Sequence, residues 1–312
     1  MIDEDTFLTT LYVEVDEFCK AHLPSVTQPG PAASLCRSEV VTLGMFGQWA
    51  RFRSEGDFYR YVVKHLRPAF PRLPHSSQFN RLLRKHRDAL VAFFLHLAKR
   101  LESAAWAYEV LDSSGILTRD AKRRGRGWLP GLATPDRIGG WSNRVGWYEG
   151  FHLLVAISPS GVLTGFGFAP AHVHDISLAE TFLALRYAPD PRLASVGCAT
   201  SRPYVGDKGF AGRENRTRWR TFYQAQVISP PTRRSRHPWP KALRRWLASI
   251  RQIVETVYDK LHNALGLDRE RPHDLSGFQA RLAAKAALHN FCIWLNQQLG
   301  RPNLAFADLI DW

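Results

Sequence analysis

The chain has 312 residues, 45% of them hydrophobic, which suffices for one large core or two modest domains and excludes wholesale disorder. Its 42 Lys and Arg against 28 Asp and Glu give a formal charge of +14, so a polyanion is the expected partner, nucleic acid ahead of an anionic membrane. The four cysteines (Cys19, Cys36, Cys198 and Cys292) form no CxxC pair, which argues against a zinc ribbon or disulfide framework and fits a reducing cytoplasm.

Residues 1–104 read as a helical N-terminal domain with a possible role in binding DNA ends. Asp5 to Ala21 repeats apolar residues at three- and four-residue steps, from Phe7 and Leu8 to Val15 and Phe18. Ser38 is placed to cap a second helix running to Arg53, and Phe58 to Leu66 forms a third that Pro68, Pro71 and Pro74 end. Ser76 or Ser77 then starts a long helix to about Leu101. Arg81, Arg84, Lys85, His86 and Arg87 make its first half basic, a pattern open to a helix-turn-helix reading element or to a solvated face. Leu90 to Leu101 is the most apolar segment, yet it is short and interrupted by His96, Lys99 and Arg100. No membrane span or secretory signal is expected, and the location expected is the cytoplasm, at the nucleoid.

From Ala105 the pattern changes to strands alternating with helices. Ala107 to Leu111 is a short strand ending at Asp112. The stretch 116–146 is basic, with Arg119, Lys122, Arg123, Arg124, Arg126 and Arg144 interleaved with Trp128, Trp141 and Trp147. Positive charge grips phosphates and aromatic faces stack bases, so this stretch is a candidate nucleic-acid contact. Tyr148 to Ile157 and Val162 to Ala169 are strands joined by Ser158-Pro159-Ser160-Gly161, a hairpin signal. After His174-Asp175, with Asp175 read as a cap, comes a helix to Tyr187. Tyr204 to Gly206 is a strand ending at Asp207, and a basic helix from Arg213 leads to a strand from Gln224 to Ser229. Such strand–helix–strand crossovers need parallel neighbours, which predicts a mixed sheet with helices on both faces.

The helix from Ile250 to Asn263 places Ile250, Ile253, Val254, Val257 and Leu261 on a core face, with Arg251, Glu255 and His262 together on another. Alone, Arg251 and Glu255 read as a surface ion pair, Asp112 as a turn residue and Asp207 as an Asx-turn with Gly209. Jointly, two strand-end aspartates and a late helical glutamate are about the minimum set of hard oxygen donors that holds two divalent ions for in-line displacement at phosphorus. The ions expected are Mg²⁺ or Mn²⁺. No Walker-type glycine loop is present, which argues against ATP-driven chemistry.

Asp112, the box Gly206-Asp207-Lys208-Gly209-Phe210 and the segment Arg251 to Glu255 resemble the signatures of DDE transposases from bacterial insertion sequences. Trp147 to Leu153 is similar to that family's second strand, Val173-His174-Asp175 to the turn after its third, and Ile253 to Phe291 to the C-terminal block of one insertion-sequence group. The resemblance covers roughly 108–296. It implies a ribonuclease H-like catalytic domain over 105–300: an α/β mixed sheet flanked by helices, preceded by the all-helical domain and followed by a tail over 301–312. It further implies hydrolytic nicking and then strand transfer at element ends, with Asp112, Asp207 and Glu255 as catalytic metal ligands. The implied partners are double-stranded DNA (terminal inverted repeats and target) and a second copy of the chain, as a homodimer. Lys208, Arg251, Lys260 and His262 join the basic stretch as DNA contacts, Arg251 orienting Glu255 or holding a phosphate. Two positions depart from the family pattern: Ala248 stands where a tyrosine is common, and His262 where a lysine or arginine is expected. The rival readings are a transposase-derived DNA-binding protein that no longer cuts, and a stand-alone metal-dependent nuclease.

Overall fold

The computed structural model describes residues 1–24, 33–119, 129, 139–142, 146–187, 197, 199–231, 235–236 and 238–312. In chain order the elements are β1 (Ile2–Asp3), α1 (Glu4–His22), α2 (Arg37–Phe46), α3 (Glu55–Tyr61), α4 (Ser76–Lys85), α5 (Arg87–Arg100), β2 (Glu109–Arg119), β3 (Gly139–Ser142), β4 (Gly146–Ile157) and β5 (Leu163–Pro170). They continue with α6 (Asp175–Tyr187), β6 (Tyr204–Gly206), α7 (Arg213–Tyr223), β7 (Val227–Ile228), α8 (Lys241–Asp259), α9 (Leu275–Gln298) and β8 (Ile310–Asp311).

These elements form two units. One is built mainly from Met1–Leu97 and Leu261–Trp312, the other from Ala98–Trp128 and Leu132–Lys260. The C-terminal helix, expected within the catalytic domain, therefore groups with the N-terminal helices. Its composition explains why. Between Gly277 and Asn296 nearly every residue of α9 is buried, and a helix apolar on all sides needs neighbours all round. Asp274 caps it by accepting from Gly277 N at 2.6 Å, and Arg84 of α4 pairs with Asp274 at 2.9 Å.

Two helical expectations are corrected in this unit. The long helix predicted over 76–101 is two helices broken at His86, and the cap of the first is His75 rather than Ser76 or Ser77. The cap of α2 is Cys36, which exchanges hydrogen bonds with Glu39, while Ser38 sits inside the helix and donates to Asp16.

The second unit is organised on β2. Over Val110 to Arg119 it runs antiparallel to β4, and over Glu109 to Leu111 it runs parallel to β6. Strand β7 extends the parallel side, while β5 and β3 pair antiparallel with β4 on its other side. Helix α6 links β5 to β6 and α7 links β6 to β7, the long connections that parallel strands demand. This is the curled mixed sheet flanked by helices of a ribonuclease H-like domain. Leu153 to Ile157 of β4 are all buried, as expected of a strand covered on both faces. Gly115 keeps β2 continuous, because a methyl group there would lie 2.7 Å from the Tyr148 ring.

An ion pair is sealed into this core. Arg186 of α6 donates to Glu109 Oε2 at 2.8 Å and to Oε1 at 3.3 Å, and Thr164 Oγ1 donates to Oε2 at 2.7 Å. Both charged side chains are almost wholly inaccessible, at 1% and 2%. Removing one partner strands the other charge without water. We predict that Glu109→Ala destabilises the chain by about 3–5 kcal/mol in urea unfolding, and that a paired Glu109→Leu/Arg186→Met change recovers most of that loss. A single-variant cost of about 1 kcal/mol or less would mean the pair is solvated in solution.

Candidate active site

The carboxylates gather where β2 and β6 part. Their last parallel pair is Leu111 with Gly206, so Asp112 and Asp207 are the next residue on each of two adjacent strands. Asp112 was expected at a strand end, and here the structure corrects the reading. Strand β2 runs on to Arg119, because β4 continues to pair with it after β6 stops, with Asp112 opposite Val155. Asp207 does end its strand and caps the short turn Lys208–Phe210, its Oδ1 accepting from Gly209 N at 2.7 Å.

A third carboxylate joins them. Asp175, read from sequence as a helix cap, is the first residue of α6. Its Oδ1 accepts from Ser113 Oγ at 2.6 Å and lies 3.2 Å from His152 Nε2, while His152 Nδ1 meets Val173 O at 3.1 Å. A methyl group at Gly209 would sit 2.8 Å from Asp175 Oδ2 and 2.9 Å from Asp207 Oδ1. One small group at that point touches oxygens from both carboxylates, which is why the position is glycine. Sequence offered two signals for Asp175, its place after His174 at the start of a helix and the resemblance of Val173-His174-Asp175 to the family's turn after the third strand. Its partners Ser113 and His152 lie too far along the chain for any local pattern to join them.

Burial and like charge act together on Asp112. Desolvation, then the neighbouring Asp207 and Asp175, push its carboxyl from 3.8 up to about 7, although Arg251 pulls the other way. Arg251 reaches this site from α8, which docks through Tyr258. The Tyr258 hydroxyl is placed to donate to Asp112 O at 3.2 Å and Leu153 O at 3.4 Å. Glu255 lies one helical turn from Arg251 and just under one from Tyr258, and its side chain is exposed. The structure thus brings Asp112, Asp207 and Arg251 together and sets Glu255 on the adjoining helix.

Lys208 is exposed beside Asp207, and Lys260 pairs with Asp259 at 3.1 Å. His262 is buried, with Nδ1 2.7 Å from Asp268 Oδ1, a placement that gives it an internal neighbour instead of an open face. Arg119 closes β2, but its side chain, together with Lys122, Arg123, Arg124, Arg126, Trp128 and Arg144, lies outside the described residues. Trp141 and Trp147 are described. They face each other across β3 and β4 with centroids 6.1 Å apart, 64% and 77% exposed.

A mixed sheet of this order with helices on its faces is ribonuclease H-like in architecture. Residues 110–291 match the family described as Transposase DDE domain, and the chain belongs to that family. No curated protein and no solved structure matches the chain. Members of the family generally use divalent metal ions. Among the described residues, no three His, Cys, Asp or Glu side chains stand close enough to enclose an ion unaided. The donor chemistry nonetheless fits one: hard carboxylate oxygens, mutual repulsion that a cation relieves, and a glycine cradle between two of them.

The raised Asp112 carboxyl links stability to pH. The folded protein keeps a proton that the unfolded chain releases near pH 4, so stability from this group is full below that value and is lost as pH rises through about 7. In chelator-treated protein, Asp112→Asn is expected to gain thermal stability relative to wild type progressively between about pH 4 and 7. A stability difference that does not change with pH would show that ionising Asp112 carries no penalty.

Proposed function

We propose that the chain is a DNA transposase that nicks and joins the ends of its own insertion sequence. The observation carrying this reading is the juxtaposition of Asp112 and Asp207 just past the last pair of two parallel strands, under a helix that presents Arg251 and Glu255. In this reading Asp112, Asp207 and Glu255 are the metal ligands, with Glu255 swinging in from its exposed position on α8. When bound, two Mg²⁺ or Mn²⁺ ions supply activation of the attacking oxygen and stabilisation of the leaving one.

The chain's own residues do the rest. Arg251 and Lys208 hold the phosphates flanking the scissile bond. Asp175, fixed by Ser113 and His152, maintains the negative field beside Asp207 and sets the spacing of the pair. Tyr258 fixes the height of Glu255 above β2. The basic stretch from Arg119 to Arg144 neutralises the duplex backbone, and Trp141 and Trp147 offer ring faces to bases. Pairing two element ends calls for at least two copies of the chain, which supports a homodimer on DNA.

The test is DNA labelled within the gene's flanking sequence and incubated with Mg²⁺ or Mn²⁺. Wild type is expected to leave discrete nicks at the element ends. Asp112→Asn and Glu255→Gln should lose them by a factor on the order of a hundred to a thousand or more while binding the same DNA. Indiscriminate cutting would move the reading to a plain nuclease, and binding without cuts to a DNA-binding protein that has lost its chemistry. For the Asp175 cluster, His152→Ala and Ser113→Ala are each expected to cost about 10–100-fold in cleavage or in the half-saturating metal concentration. Unchanged values in both would make Asp175 only the start of its helix.

A further inference from the structure

Within the helical unit, one face of α1 and the segment from His65 to Phe70 line a groove of about 600 Å³. Asp5, Leu8, Thr9 and Tyr12 supply the α1 side, at the offsets that share one helical face over about two turns. Buried Leu8, Leu66 and Phe70 make an apolar floor, and Asp5 and Glu39 add two carboxylates to the lining. No Lys or Arg lines the groove, although the chain carries 42 of them. Glu39 accepts from Cys36 N at 2.6 Å, a neutral donor, and neither it nor Asp5 pairs with a cation among the described residues. Burial first, then the fields of Asp16, Cys36 and Glu39, push the Tyr12 phenol up, which marks the groove as negative.

The complementary surface is the start of α8. From Lys241 to Trp246 every residue is exposed. The apolar stripe that α8 buries at Leu247, Ile250, Val254 and Val257 continues through Leu243 and Trp246, which stay 45% and 37% exposed. The Trp246 ring meets Tyr108 edge-on at 5.5 Å, a contact that orients it without covering it. Lys241, Arg244 and Arg245 share these turns, and their side chains have no partner among the described residues. No Asp or Glu occurs between Glu214 and Glu255, so no acid close to them in sequence answers their charge.

We infer that the first turns of α8 dock in the α1 groove of a second copy of the chain. Leu243 and Trp246 sit on Leu8, Leu66 and Phe70, and Arg244 and Arg245 meet Asp5 and Glu39. The contact rests on the proposed function only in taking two copies as the working assembly. An exposed apolar stripe flanked by cations here meets an apolar floor flanked by carboxylates, over a similar length of helix. Nucleic acid fits neither surface as well. Phosphates would answer the arginines but leave Leu243 and Trp246 without apolar contact, and the groove repels a polyanion. Two helical turns cover little beside the roughly 800 Å² a side of a stable interface, so the assembly expected is a two-fold pair, which makes the contact twice.

The experiment measures self-association of the full chain by sedimentation velocity over a concentration series, without DNA or metal. Wild type is compared with the groove variant Asp5→Arg/Glu39→Arg and the helix variant Arg244→Glu/Arg245→Glu. Thermal unfolding checks that each folds, and because Glu39 also caps α2, Asp5→Arg alone serves if the double groove variant does not. Wild type is expected to dimerise, and each variant to do so with a Kd raised about tenfold or more, since like charges then face each other. An equimolar mixture of the two variants is expected to recover association, because opposite charges then meet at both contacts. A wild type that stays monomeric into the high-micromolar range would overturn the proposal. So would variants that dimerise as wild type does, or a mixture no more associated than its components. A helix variant that loses affinity for duplex DNA yet still dimerises would overturn it too, by assigning these turns to nucleic acid. The outcomes separate from those of the cleavage reading: recovery in the mixture stands even if the protein never cuts, while discrete nicking by a protein that fails the mixing test removes this contact alone.

Discussion

Three negative charges are forced together at the mouth of β2 and β6, and the surrounding structure is arranged to tolerate them. Asp112 cannot retreat, because its backbone is held in two ladders' worth of register by β4 on one side and by the end of β6 on the other. Asp207 is tied to the turn that follows it, and Asp175 to Ser113 and His152. With each carboxylate fixed through its backbone or its neighbours, repulsion is relieved by holding a proton, by drawing in Arg251 or by admitting a cation. Burial and like charge at Asp112 both favour a positive neighbour.

The core beneath the site works in the opposite electrostatic sense. Glu109 lies three residues before Asp112 on the same strand, yet its charge is fully answered by Arg186 and Thr164. Nearby, Glu180 ties α6 to α7, accepting from Arg218, Trp219 and Tyr223. These satisfied carboxylates fix α6, and hence its first residue, Asp175, relative to the sheet. Within one strand, then, one acid is buried and fully paired, and another is half-buried beside two further carboxylates. The difference lies in the partners that other elements bring to each.

Much of this was legible in the sequence because it is written in local patterns. The apolar stripe of α8, the Ser158–Gly161 hairpin and the crossover order of the parallel strands follow from periodicity and turn chemistry, and they put Asp207 and Glu255 in their elements. What was not legible depended on partners distant along the chain. Ser113-Ser114-Gly115 reads as a strand breaker, and only pairing with β4 keeps it extended. Strand β3 is four residues with two glycines, too slight for a pattern, and exists through its ladder with β4. Asp175 looked like a cap because its hydrogen-bonding partners come from β2 and β4. The break at His86 has the same origin: Arg84 and Arg87 on either side are engaged by Asp274 and Gln279 of a helix almost two hundred residues later.

The grouping of Met1–Leu97 with Leu261–Trp312 has a consequence for how the protein is made. Helices α1 and α2 bury much of their apolar surface against one another and against α9, and β1 finds its only strand partner among the described residues in β8. During synthesis the first helices therefore leave the ribosome long before the helix that completes their core, and the whole sheet domain is translated in between. Until the final fifty or so residues emerge, that early apolar surface must be shielded by chaperones or by transient contacts. A product truncated before Leu261 would retain β2 to β7, with Asp112, Asp207 and Glu255, while leaving its first unit without a core. Such a fragment would be a target for proteolysis.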